Sequence, residues 1–185
     1  MKLTENDYSA ETGKLKKADG TIYSIIENIV IKNKNEFQNL SEDSLSTEIL
    51  YNVTFPAEFA GNEQDGFDEC FLAELRNFLK LLEPEEKTVI INLQCNENLK
   101  NNKELTLELF YHIARRIKDC VSVAGFTLPD FPPAAESAAM QENLSFPQKV
   151  IETLQKKHPE YVYFVRSQQQ YEQLHSVYPA RIALY

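Results

Sequence analysis

Apolar and polar positions along this chain alternate between two periods. The stretch TIYSIIENIVI, residues 21–31, is rich in β-branched residues and predicts a strand or hairpin pair. ILYNVTF, Ile49 to Phe55, predicts the first strand of a repeating unit. Phe67, Phe71, Leu72, Leu75, Phe78, Leu79 and Leu82 then share one face at helical spacing, predicting a helix over 68–82. Asp68 is placed to cap its start, Phe67 to staple onto Leu72, and Pro84 to end it.

The unit then repeats. TVIINL, Thr88 to Leu93, is a short continuous apolar run of the kind buried on both faces. A helix over 103–118 turns Leu105, Leu109, Phe110, Ile113 and Ile117 inward, with Arg115, Arg116 and Lys118 in its last turn, where cations suit the helix dipole. VSVAGFTL, residues 121–128, predicts a third strand, and the Pro- and Ala-rich stretch 129–145 a long loop. A helix over 146–157, the strand YVYFV (161–165), a short helix opened by Ser167 and Gln170 at capping-box spacing, and the strand ARIALY (180–185) complete the chain.

Strands alternating with helices imply an α/β fold: a mostly parallel five-stranded sheet flanked by helices, with an N-terminal strand or hairpin. Residues 1–20 are polar and predict a poorly ordered, flexible segment, leaving 21–185 as one α/β domain. Five strands are too few to close an eight-stranded barrel, so the sheet must be open or have its edges covered, by a partner or by residues 21–31.

Composition narrows the function classes. A net charge of −9 argues against nucleic acid and against anionic membrane surfaces as partners. No apolar run reaches the length of a membrane span, and the first residues lack the apolar core of a signal peptide. The three cysteines are isolated from one another, which disfavours zinc and predicts reduced, mostly buried thiols in a cytoplasmic protein. With five glycines and no glycine-rich phosphate motif, no nucleotide or other cofactor is expected, and no metal site.

In open parallel sheets ligands bind beyond the C-terminal ends of the strands. That rule selects Glu58, Gln94, Asn96, Asp130, Phe131 and Arg166 as binding candidates, with Cys95, Glu97 and Ser167 beside them. The mixture forms no complete catalytic constellation: Cys95 lacks an adjacent base, and His112 falls mid-helix. Tyr161, Tyr163, Tyr171, Tyr178 and Tyr185 cluster late in the chain, either as a packed sheet face or as a surface for a protein partner or self-association.

Two family resemblances follow from particular segments. GFDECFLAELRNFLKLLEPEEKTVIINL, LFYHIARRIKDCVSVAGFTLPDFP and FPQKVIETLQKKHPEYVYFV resemble the second to fifth strand–helix units of cellulase-like glycoside hydrolases with a (β/α)8 barrel. The fourth strand of that family typically ends in Asn-Glu-Pro, whose Glu is the acid/base; Asp130, Phe131 and Pro132 stand at those places here. Phenylalanine cannot transfer a proton, and the family's nucleophile strand would lie beyond Tyr185. This resemblance implies a half-barrel-like, degenerate protein, carbohydrate-binding or inactive.

The second resemblance is to STAS domains, the regulatory folds of anti-sigma-factor antagonists. It rests on ILYNVTFPAEFAGNEQDGFDECFLAELRNFL, TVIINLQ, VSVAGFTL and YFVRSQQQYEQL. The family's phosphorylatable serine motif is replaced by NLQCNENLKNN, so this resemblance implies a non-catalytic regulatory or scaffolding domain acting through protein contacts. The regulatory role is the leading expectation, and the carbohydrate role is its alternative.

Overall fold

The computed structural model describes residues 4, 7–39, 45–129 and 137–185, with the backbone alone for 38–39 and 137–145. The chain opens with a hairpin of β1 (Tyr8–Glu11) and β2 (Lys14–Lys17). Next come β3 (Ile26–Val30), β4 (Leu50–Pro56), and a two-residue ladder of β5 (Gly61–Asn62) with β6 (Gly66–Phe67). The repeat then runs α1 (Glu69–Leu81), β7 (Thr88–Gln94), α2 (Glu97–Asn101), α3 (Lys103–Arg116), β8 (Val123–Thr127), α4 (Ser137–Gln155), β9 (Val162–Val165), α5 (Gln168–His175) and β10 (Ile182–Leu184).

The principal sheet has six strands in the order β3-β4-β7-β8-β9-β10, every pairing parallel. Its spatial order is its chain order, so each crossover advances the sheet by one strand in the same direction, as in a barrel. The α/β class holds as expected, while the strand count rises from five to six. The added strand is β3, which pairs with β4 from Ile26 opposite Leu50 to Val30 opposite Thr54.

Helix starts follow local chemistry. The side chains of Asp68, Asn102 and Ser167 accept hydrogen bonds from the backbone N–H of Phe71, Leu105 and Gln170, at 2.9, 3.1 and 3.1 Å. Phe67 does not staple onto Leu72. Its ring stacks on His112 with centroids 3.7 Å apart, since the β5–β6 ladder turns it toward α3. Helix α4 begins at Ser137, well before the expected start near Phe146. Proline favours a first turn, so Pro147 draws the reading toward that point, yet the helix carries it internally.

Two cores flank the sheet. On the outer face Val53, Phe55, Ile91, Leu93 and Tyr163 pack under helix residues such as Leu75, Phe110, Ile113 and Ile151. On the inner, concave face lie Leu50, Ile90, Ala124, Val162, Phe164 and Ala183. The hairpin fills the N-terminal end of that concavity with Tyr8 and Leu15, joined by Tyr23, each at most 5% exposed. Fully burying side chains of this size contributes about 1.5–3 kcal/mol each. Residues 8–17, within the stretch expected to be flexible, thus form a hairpin whose side chains pack on the sheet. Their turn is the missed signal: Thr12 and Gly13 both take positive φ (49° and 78°), the geometry of a tight hairpin.

The hairpin also spans the gap between the sheet's two edges. On one side Ala10 N–H donates to Ala180 O and Leu184 N–H to Gly13 O, both at 2.8 Å. On the other, Lys17 N–H donates to Thr21 O at 2.8 Å and Tyr23 N–H to Leu15 O at 3.0 Å. Six curved strands thus close into a partial barrel around an inner face.

Candidate functional site at the C-terminal mouth of the sheet

The inner face is apolar at its N-terminal end and polar toward its C-terminal end. Period-two alternation puts Asn52 and Thr54 of β4 and Asn92 of β7 on this face, while Val53, Phe55, Ile91 and Leu93 point outward. Register aligns Asn28 with Asn52, Thr54 with Asn92, and Asn92 with Thr127.

These groups hydrogen-bond to one another. Asn52 Nδ2 donates to Asn28 Oδ1 and to Tyr185 Oη, each at 2.7 Å, and Tyr185 Oη donates to Asn28 Oδ1 at 2.7 Å. Asn92 Nδ2 donates to Thr54 Oγ1 at 3.0 Å, and Thr127 Oγ1 to Asn52 Oδ1 at 3.4 Å. Asn28 lies on one edge strand and Tyr185 directly follows the other, so this network joins the two edges at the mouth. Asn52, Thr54, Asn92 and Thr127 are buried, whereas Asn28 is exposed and Tyr185 half-buried.

Above this layer opens a cavity of about 200 Å3, whose walls include Asn92, Gln94, Cys95, Lys100, Leu128 and Arg166. The Arg166 guanidinium sits 5.4 Å from the centroid of the Tyr185 ring, within cation–π range. Gln94 and Arg166 are thus brought together from β7 and the end of β9. Glu58 lies outside the cavity walls, on the turn Ala57–Phe59 after β4, and its Oε2 is buried without a hydrogen-bond partner among the described residues. Asn96 also stands outside the walls. Its side chain caps α2 by accepting from Leu99 N–H at 3.0 Å. Glu97 is engaged with Lys100 at 2.6 Å, and Ser167 caps α5. Asp130 and Phe131 fall outside the described residues.

Cys95 is unsuited to nucleophilic work. Burial, reinforced by the Glu58 carboxylate, pushes its thiol up to about 11, so it remains protonated near neutrality. His112 sits mid-helix in α3, 3.0 Å from Glu69 Oε1, with burial holding its pKa below the ordinary histidine value. Cys70 is exposed rather than buried, on the first turn of α1, where Phe71 and Leu72 take the inward face. The late tyrosines form no single surface: Tyr161 and Tyr163 are fully buried, and Tyr185 belongs to the mouth. No cluster of three metal-ligating side chains occurs among the described residues, and no described helix is long and apolar enough to cross a membrane.

The polar layer escaped the strand-end rule because its members lie inside strands. Asparagine is depleted in strands, so Asn28, Asn52 and Asn92 in three apolar runs were the available signal.

Comparison with known proteins agrees with this geometry. No family model matches the chain, and no curated protein matches its sequence. Solved structures do match. The catalytic domain of a Thermobifida fusca endoglucanase, in complex with cellotetraose, superposes with a TM-score of 0.65 at 13% identity, covering 97% of this chain and 64% of that one. A mannanase catalytic domain from Streptomyces sp. SirexAA-E gives 0.63 at 8% identity, covering 98% and 62%. A Pseudomonas stutzeri endoglucanase gives 0.55 at 14%, covering 82% and 51%. The chain spans half to two-thirds of the length of these structures. At such identities the likeness concerns the fold: a partial glycoside-hydrolase-type barrel. The STAS resemblance gains no support, since the structures matched are hydrolase barrels and the sheet advances strand by strand in one direction.

Proposed function

We propose that this protein binds carbohydrate at the C-terminal mouth of its sheet and does not hydrolyse it. The observation that carries this reading is the polar layer within an otherwise apolar sheet, opening into a cavity walled by Asn92, Gln94 and Arg166. Amides, hydroxyls and a guanidinium are the groups that exchange hydrogen bonds with sugar hydroxyls, and Tyr185 and Leu128 offer the apolar surface a sugar ring needs. One of the matched structures is in complex with cellotetraose, and barrel enzymes place their sites at the C-terminal face of the strands, the end where this mouth lies.

The chemistry of the cavity favours binding over bond cleavage. Glycoside hydrolysis uses two carboxyl groups facing one another across the scissile bond. The described walls of this cavity carry amides, a thiol and two cations, and Phe131 stands where the glycoside-hydrolase resemblance would put the acid/base.

The experiment is titration calorimetry of the protein with cellotetraose, mannotetraose and xylotetraose, each mixture then chromatographed after prolonged incubation. The reading expects binding of at least one class with the sugar recovered at full length. Release of shorter sugars by the purified protein would overturn the non-hydrolytic part, and failure of every class to bind would overturn the whole.

A further inference from the structure

We infer that the mouth selects acidic sugars, those bearing a carboxylate on the ring, over their neutral counterparts. This inference rests on the carbohydrate-binding reading above and names the ligand class. Two side chains in the cavity walls are cationic, Lys100 and Arg166, and among the described residues no carboxylate lines those walls. That placement runs against the molecule as a whole, whose net charge is −9.

Arg166 is the sharper of the two. It is exposed, has no carboxylate partner among the described residues, and stands over the Tyr185 ring at 5.4 Å. A guanidinium stacked on an aromatic face keeps its planar edge of donors free, and that edge matches a carboxylate in a two-point contact. Lys100 approaches from α2, paired with Glu97 at 2.6 Å. The Glu97 side chain is 81% exposed, so the pair is solvent-screened and readily exchanged for a ligand carboxylate. The amides of Asn92 and Gln94 remain for the hydroxyls of the same ring. A site for wholly neutral sugar would leave the Arg166 charge facing ligand hydroxyls without compensation.

The test compares sugars that differ only at C6. Cellotetraose is matched with the tetramer of β-1,4-linked glucuronic acid, and mannotetraose with the tetramer of β-1,4-linked mannuronic acid, by calorimetry at low and high salt. A charge-assisted contact in place of a neutral one predicts an affinity about tenfold higher for the acid member of at least one pair. That ratio should shrink at high salt and shrink in Arg166→Gln, with Lys100→Gln acting in the same direction. Acidic and neutral members binding equally well, or a ratio that Arg166→Gln leaves untouched, would overturn this inference and leave carbohydrate binding standing. Binding of none of the four sugars, with xylotetraose also failing to bind, would overturn both.

Discussion

Asn52 is the residue on which the mouth turns. It is fully buried, and its amide reaches Asn28 on one edge of the sheet and Tyr185 beyond the other. Without the Tyr185 hydroxyl, Asn52 Nδ2 keeps Asn28 Oδ1 and Thr54 Oγ1 as acceptors, at 2.7 and 3.1 Å. Tyr185→Phe should therefore lower stability by about 0.5–1.5 kcal/mol, the net worth of the hydrogen bonding it removes. Urea denaturation with an unchanged slope would report it, and an unchanged midpoint would mean the network contributes nothing.

The thiols give a second residue-scale expectation. Burial raises Cys95 from an ordinary 9.0 to about 11 and Cys120 to about 12, while Cys70 is exposed. Groups whose folded pKa is raised hold their protons longer in the native state. Their stabilisation is complete below pH 9 and is lost as pH climbs through the folded values. Native protein treated with iodoacetamide at pH 8 should gain one label, at Cys70, by mass spectrometry. The melting temperature should fall between pH 9 and 11, with Tyr8, raised to about 12 chiefly by burial, acting in the same direction.

At the scale of elements, helix caps and apolar periodicity were legible because they are local. Asp68 and Ser167 announce helices through a single side chain, and the apolar stripe of α1 repeats at helical spacing. Three features were not legible for the opposite reason. The hairpin at 8–17 acquires its core mostly against residues distant in sequence, from Leu50 and Ile90 to Ala183, and Tyr8 Oη donates to Val121 O. The strand expected within 21–31 is β3, but its place as a sixth, parallel strand beside β4 shows only in the pairing. The polar layer exists only once register aligns Asn28, Asn52, Thr54, Asn92 and Thr127.

Gly125 belongs to the same scale. A Cβ there would stand 1.7 Å from Val162 O, so β8 and β9 pair at a separation that only glycine permits. Gly125→Ala should force β9 aside and cost about 3 kcal/mol, at the upper end for an overpacked core site. A thermal or urea midpoint equal to that of the unaltered chain would show that β9 yields freely.

For the whole molecule, chain order becomes sheet order, and a hairpin with one tyrosine-centred network joins the two edges. The result is a partial barrel with an apolar, plugged end and a polar, open one. The late tyrosines and the STAS resemblance pointed to a protein-contact role, while the strand-end rule picked out Gln94 and Arg166, which line the cavity, without the residues beneath them. The proposed ligand site is the polar end alone. The measurement that tests this most directly is a nitrogen–proton NMR titration of the isotopically labelled protein with the tightest-binding tetrasaccharide. Saturable shifts confined to the backbone of 92–95, 128, 166 and 185, with Asn28 and Asn52 side-chain amides moving beside them, are the predicted result. Saturable shifts centred on the hairpin or the outer helices, with the mouth unmoved, would contradict it.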